Sequence, residues 1–357
     1  MDKLNLTKVQ TKKRKKIISL PAIRSYIYQP NRITNAIYDY SLIQERIFNA
    51  VIYYLQEPIK LSLKGEDYGQ YSLFQEYKEQ PTIKITIPLR EITIPQHYDQ
   101  VKKSIKQLAS IVVEIPYINQ KTQEKRVVYK GLLSADIPSN STRNSLIYIE
   151  VDKRVAKLLV EIDQNKGGQP INYTRYVYEI AQNASNKYTS RVYKLICSWR
   201  KKGGFTIPLE DFRKWLGIED KYKYFADIKK NILLPVQNEL FEKADCWFNC
   251  KSDDFVTKQG NTVTHLNFKI ITPELIVEED KRKDYAFNLL RTHFKFNDRN
   301  IEQIRPLFNK ASSEQMLLKI VSLREYYLNN VTKITDVVGY VIKSLQNEFG
   351  DNESNLF

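Results

Sequence analysis

The chain has 357 residues, 42% of them hydrophobic, which is ample for the cores of two or three domains. Fifty-six Lys and Arg against 41 Asp and Glu give a net charge of +15 and a pI near 9.4, an excess that asks for an anionic partner, nucleic acid first and a membrane surface second. No apolar run approaches the ~18–20 residues of a spanning helix and the basic start lacks the apolar core of a signal peptide, so the sequence reads as soluble and cytoplasmic.

Residues 1–30 form a basic arm in which Lys12, Lys13, Arg14, Lys15 and Lys16 are contiguous; such a run is either a solvated tail or a phosphate-contacting arm. A first domain is expected over 31–165. Asp39 or Ser41 can cap a core helix carrying Leu42, Ile43, Ile47, Phe48, Val51, Ile52 and Leu55 at helical spacing. Residues 57–81 read as a loop or irregular insertion. Ile83, Ile85 and Ile87 alternate as in a strand, and a short helix or turn starts near Pro88. The next helix places Val101, Ile105, Leu108 and Val112 inside and Lys102, Lys103 and Lys106 outside. The β-branched segments IVVEIPYI, RVVYKGLLS and SLIYIEV then predict a small sheet. Residues 151–163 look helical, and NKGGQPIN is a break.

A second domain is expected over 170–273. A helix begins near Asn186, a strand ends at Ile207, a short helix follows Pro208, and a long basic helix buries Phe225, Ile228, Ile232, Val236 and Leu240. Pro235 should kink that helix or divide a DNA-reading half from a core-packing half. CWFNC and the segment up to Thr272 predict a two-stranded wing whose turn holds Lys251, Lys258, Gly260 and Asn261. Cys246 and Cys250 would share a strand face with Phe248; with Cys197 they are too few and too unevenly spaced for a disulfide framework or zinc finger, and read as buried small hydrophobes. Residues 274–284 read as a charged linker and 285–349 as a small helical C-terminal region.

The internal repeat organises these elements. Thr86-Ile87-Pro88-Leu89 recurs as Thr206-Ile207-Pro208-Leu209, each time after an apolar helix and a strand and before a basic helix and β-branched segments. Helix, strand, helix, basic helix and wing is the order of a winged helix, in which the last helix enters the DNA major groove. The fold class expected is therefore α+β, two tandem winged-helix domains followed by helices.

Base reading needs side chains on the exposed start of a recognition helix, and affinity needs Lys and Arg against phosphates. In the second domain Lys221, Tyr222, Lys223, Tyr224, Lys229 and Lys230 are the candidates, with Lys251 and Lys258 on the wing; in the first they are Tyr98, Lys102, Lys103 and Lys106. Asn186, Lys187, Thr189, Ser190 and Arg191 open a helix whose free N–H groups and hydroxyls could hold a phosphate, or they simply cap a core helix. The three histidines, His97, His265 and His293, form no His-x-His pair, Lys201-Lys202-Gly203-Gly204 is not a phosphate loop, and no carboxylates cluster as metal ligands. Neither a catalytic residue, a metal nor a cofactor is expected.

The segment from Ser185 to Leu240 resembles the second winged helix of the iteron-binding plasmid replication initiators, the Rep_3 group. The family pattern is met by Ser190, Arg191, Tyr193, Leu195, Gly204, Phe205, Ile207, Leu209, Phe212, Arg213, Leu216, Gly217, Tyr224, Ile228, Lys229 and Glu239. NRITNAIYDYSLIQERIF is similar to the opening of the first. The likeness covers about 30–272; the long 57–81 spacer, Phe241 in place of the usual Asn, and the helical tail depart from it. It implies an initiator that binds direct repeats of double-stranded origin DNA, helps open the duplex, recruits host replication proteins, and exists as monomer and homodimer. A transcriptional repressor on the same fold, or a nicking or priming enzyme, are the competing readings.

Overall fold

The computed structural model describes residues 25–56, 81–119, 121–241, 243–329 and 334–350, which divide into one unit ending at Ile271 and another beginning at Thr272. The basic block at 12–16 and the spacer over 57–80 lie outside the described residues. Each unit has its own apolar core.

Among the described residues the first strand of the first unit is β1 (Tyr26–Pro30), in a stretch the sequence assigns to the arm. It pairs antiparallel with β7 (Tyr173–Val177), Tyr26 opposite Val177 and Pro30 opposite Tyr173. A one-turn helix, α1 (Asn31–Thr34), leads to α2 (Leu42–Tyr54). Ser41 is the cap: its hydroxyl accepts from the Gln44 N–H while the Gln44 side chain accepts from the Ser41 N–H.

β2 (Thr82–Pro88) turns its three isoleucines inward, and Pro88, at φ −64° and ψ 130°, directs the chain into α3 (Leu89–Ile92). A 3-10 turn at Pro95–His97 precedes α4 (Tyr98–Ala109). Val112, expected on the buried side of that helix, instead begins β3 (Val112–Ile118) and is 62% exposed. The β-branched run Ile111–Val113 favours extended backbone, so the helix ends first. β3 pairs with β4 (Lys125–Gly131), leaving Val112, Pro116, Ile118, Val127 and Tyr129 exposed on one face of the hairpin. β5 (Ser134–Asp136) and β6 (Leu146–Asp152) complete a three-stranded sheet of order β2-β6-β5, and α5 (Lys153–Val160) is capped by Asp152.

After β7 come α6 (Tyr178–Gln182), α7 (Lys187–Trp199), β8 (Gly204–Pro208) and α8 (Leu209–Leu216). β9 (Val256–Gln259) and β10 (Thr262–Lys269) close a second sheet of order β8-β10-β9. The two sheets share one order, first strand beside third beside second, and in both the repeated Thr-Ile-Pro-Leu turns the first strand into a short helix. Pro208, at φ −55° and ψ 139°, matches Pro88. Gly204 is required where β8 meets β10, since a Cβ there would lie 2.4 Å from the Phe268 carbonyl oxygen.

The wing differs from expectation in its first strand. CWFNC is irregular apart from a bridge between Trp247 and Ile271, although Cys246, Phe248 and Cys250 are all buried. The hairpin turns instead at Gly260-Asn261, with Gly260 at φ +60°. Lys251 therefore precedes the wing and Lys258 sits on β9.

The basic helix, α9, runs from Phe225–Ile228 through a π turn at Lys229–Leu233 into Leu234–Leu240. Proline has no N–H and clashes with the carbonyl four residues back. The wider turn, in which the Leu234 N–H reaches the Lys229 carbonyl, accommodates Pro235 within one continuous helical run.

The second unit comprises α10 (Pro273–Phe294), α11 (Asp298–Ile304), α12 (Ser313–Asn329) and α13 (Val337–Phe349) around Leu290, Phe294, Ile301, Met316, Ile320, Val341 and Leu345. The expected linker over 274–284 is the first half of α10. Thr272 accepts from the Leu275 N–H, Pro273 occupies the first turn and Glu274 follows, a complete helix start.

Candidate nucleic-acid interface

In the first winged helix α4 buries Tyr98, Val101, Ile105 and Leu108. Tyr98, a candidate base reader by sequence, is thus a core residue. Lys102 is half-buried and donates to the Ser139 carbonyl at 2.5 Å, with Asp99 3.7 Å away, so it ties the helix to the loop before β6. Lys103 and Lys106 are exposed and have no ion pair among the described residues.

In the second, α8 ends on Gly217 at φ +65°, which lets the chain turn through 218–224 before α9. Ile228, Ile232, Val236 and Leu240 are buried as their spacing requires, with Phe225 half-buried. Lys223, Tyr224 and Lys230 are exposed, and the Lys223 ammonium lies 5.6 Å from the Tyr224 ring centre. Tyr222 and Lys229 are half-buried, while Lys221, Lys251 and Lys258 are exposed.

The start of α7 departs from the phosphate-site expectation. Asn186 caps the helix by accepting from the Thr189 N–H. The anion at this helix start is internal: the Glu239 carboxylate, from the far end of α9, accepts from the Ser185 N–H at 2.5 Å, the Ser185 hydroxyl at 2.8 Å and the Thr189 hydroxyl at 2.5 Å. A carboxylate at a helix start meets the dipole as a phosphate would, here through the Ser185 N–H just before the cap and through two hydroxyls. Thr189, Ser190 and Arg191 are buried. Ser190 donates to Glu45, and Arg191 donates to the carbonyls of Ala36 and Tyr38 with its guanidinium 3.9 Å from the Tyr38 ring and 4.5 Å from Trp215. Ser190 and Arg191 tie α7 to α2 and to the chain before it, Thr189 is taken up by Asn186 and Glu239, and none of the three faces solvent.

Two acidic residues organise this region in roles that the sequence does not give them, Asp39 being read there as a candidate cap and Glu239 only as part of the family pattern. Glu239 holds the start of α7. Asp39 receives Lys187 and Lys221, both candidate DNA contacts. No local signal marks either role, because their partners lie 50 to 182 positions away.

The structure also brings Cys197, Cys246 and Asp245 together, with the sulfurs 3.5 Å apart. Asp245 is already occupied, accepting from Tyr193 at 2.5 Å and Arg200 at 2.6 Å. Burial pushes the Cys197 thiol up. No helix among the described residues is long and apolar enough to cross a membrane.

Residues 26–197 match the family model for the first winged helix, WH1, of initiator replication proteins, and residues 208–270 match that for the second, "Initiator Rep protein, WH2". No curated protein sequence matches the chain. A solved structure, "Crystal structure of Pi initiator protein in complex with iteron DNA", is similar at 14% identity and a TM-score of 0.47, over 70% of this chain and 98% of that one. The two family matches succeed one another as the two sheets do and take in most of the chain, which belongs to the initiator replication protein family.

Proposed function

We propose that the protein is a plasmid replication initiator that binds directly repeated origin DNA through both winged helices, promotes opening of the duplex and recruits host replication proteins in the cytoplasm, without catalysing a reaction itself. The observation that carries this reading is the duplicated winged helix within one unit, each copy offering exposed lysines on its recognition helix or in the turn that leads into it. Two such helices on one chain suit successive major grooves about one helical turn, ~10 bp, apart. A homodimer form is supported by the β3–β4 hairpin, where Val112, Ile118, Val127 and Tyr129 leave an apolar face uncovered.

Footprinting on the DNA flanking the coding sequence tests the proposal. Several tandem protected sites beside an AT-rich segment are expected. A single inverted repeat over a promoter would mark a repressor instead, and a metal-dependent nick in supercoiled DNA would overturn the non-enzymatic reading.

A further inference from the structure

Asp39 lies two residues before the Ser41 cap of α2 in the first winged helix, yet its carboxylate serves the second. Lys187, the first residue of α7, donates to Oδ1, and Lys221, in the turn between α8 and α9, donates to Oδ2 at 2.8 Å. The backbone around Asp39 is held from three sides. Arg191 binds the carbonyls of Ala36 and Tyr38, the Trp215 indole donates to the Thr34 carbonyl at 3.2 Å, and Gly217 packs so closely that a Cβ there would come 3.1 Å from the Asp39 Cβ. None of the three ionic side chains is sealed off. Asp39, Lys187 and Lys221 are 40%, 22% and 48% exposed, so an outside anion can reach the same ammonium groups.

We propose that Asp39 is an internal competitor for the DNA backbone: its carboxylate occupies Lys187 and Lys221, each of which could otherwise take a phosphate, and so sets the affinity and salt dependence of the second winged helix. The inference rests on the reading of these elements as DNA-facing. A carboxylate and a phosphodiester present an ammonium with the same partner, anionic oxygen. Exposed pairs of this kind are individually weak, so one can be exchanged for the other. A lysine already neutralised by Asp39 also contributes less to counterion release, because the charge it would bring to the DNA is partly cancelled beforehand.

The test is Asp39→Asn in the full chain, with binding followed by fluorescence anisotropy over a salt series. The probes are a duplex from the DNA flanking the coding sequence and an unrelated duplex of equal length. The amide removes the charge and keeps the shape. Binding at low salt should tighten about five-fold. The slope of log K against log salt should steepen by up to roughly 0.9 for each lysine released. The gain should disappear when Asp39→Asn is combined with Lys187→Gln and Lys221→Gln. It should also exceed that of Asp220→Asn, which removes a neighbouring exposed charge. Asp39→Ser gives the same readout by a second route. Unchanged or weaker binding by Asp39→Asn would overturn the proposal, as would a gain that persists in the glutamine background, since that is general repulsion. Failure of the underlying reading looks different: Lys187→Gln with Lys221→Gln would then leave DNA binding unaltered even where Asp39 is already neutral.

Discussion

Buried charge is what fastens α7 to α2 at the scale of single residues. Lys194 on α7 donates to Glu45 on α2 at 2.5 Å, and the two side chains are 2% and 1% exposed. Lys194 also donates to Asn49 at 3.0 Å, and Ser190 donates to the same Glu45 oxygen, so the pair sits in a hydrogen-bonded network. Burial lowers the pKa of Lys194 against the pull of Glu45. Removing one partner leaves the other charge uncompensated in a low-dielectric site, which is worth more than the pair's own net contribution. Lys194→Met is expected to lower the unfolding free energy by ~3–5 kcal/mol, while Lys194→Met with Glu45→Leu should recover most of that stability. Urea unfolding of the two variants checks this, and equal destabilisation in both would show that the charge is not what the single change exposes. At the edge of the same interface, partial burial acts to raise the Asp39 pKa, but the hydrogen bonds from Lys187 and Lys221 outweigh it and hold the carboxyl below its ordinary value.

The recognition helix of the second domain shows what periodicity can and cannot reveal about an element. Its buried stripe recurs in steps of four, which leaves Lys230 outside, while Lys223 is exposed in the turn just before the helix. Lys223→Ala with Lys230→Ala should weaken DNA binding and flatten its salt dependence by roughly 0.9 for each phosphate no longer neutralised, with the fold intact by circular dichroism. Unchanged affinity at every salt concentration would remove α9 from the interface. Helical spacing likewise makes α2 and most of α4 legible, alternation makes β2 legible, and the repeated Thr-Ile-Pro-Leu locates both strand-to-helix corners. Local pattern fails where the deciding partner is distant. β1 is short and finds its mate in β7, and the start of α7 has the composition of an anion site but is filled by Glu239 from the end of α9. CWFNC alternates like a strand, yet it is buried as irregular chain because its neighbours supply a core and only one bridge. The segment over 274–284 reads as a linker because it is highly charged, although Thr272 and Pro273 signal a helix start.

The charge of the whole molecule is divided unevenly between its units. Residues 272–357 carry 12 of the 56 basic residues and 13 of the 41 acidic ones, so the entire basic excess belongs to residues 1–271. The surplus that an anionic partner would meet is therefore concentrated in residues 1–271, which hold both winged helices. The helical unit has a core of its own, extends past the last residue of the family match, and exposes Leu318 and Leu328 on α12. Near-neutral charge with exposed leucines suits contact with protein more than with phosphate. A chain ending at Ile271 keeps the Trp247 bridge and both three-stranded sheets. It should bind the footprinted DNA with an affinity and salt slope close to those of the full chain, and should fail to support replication in a plasmid-maintenance assay. Anisotropy measurements on the two chains decide the first point: loss of binding on truncation would mean that the helical unit completes the DNA interface and that net charge alone does not locate it.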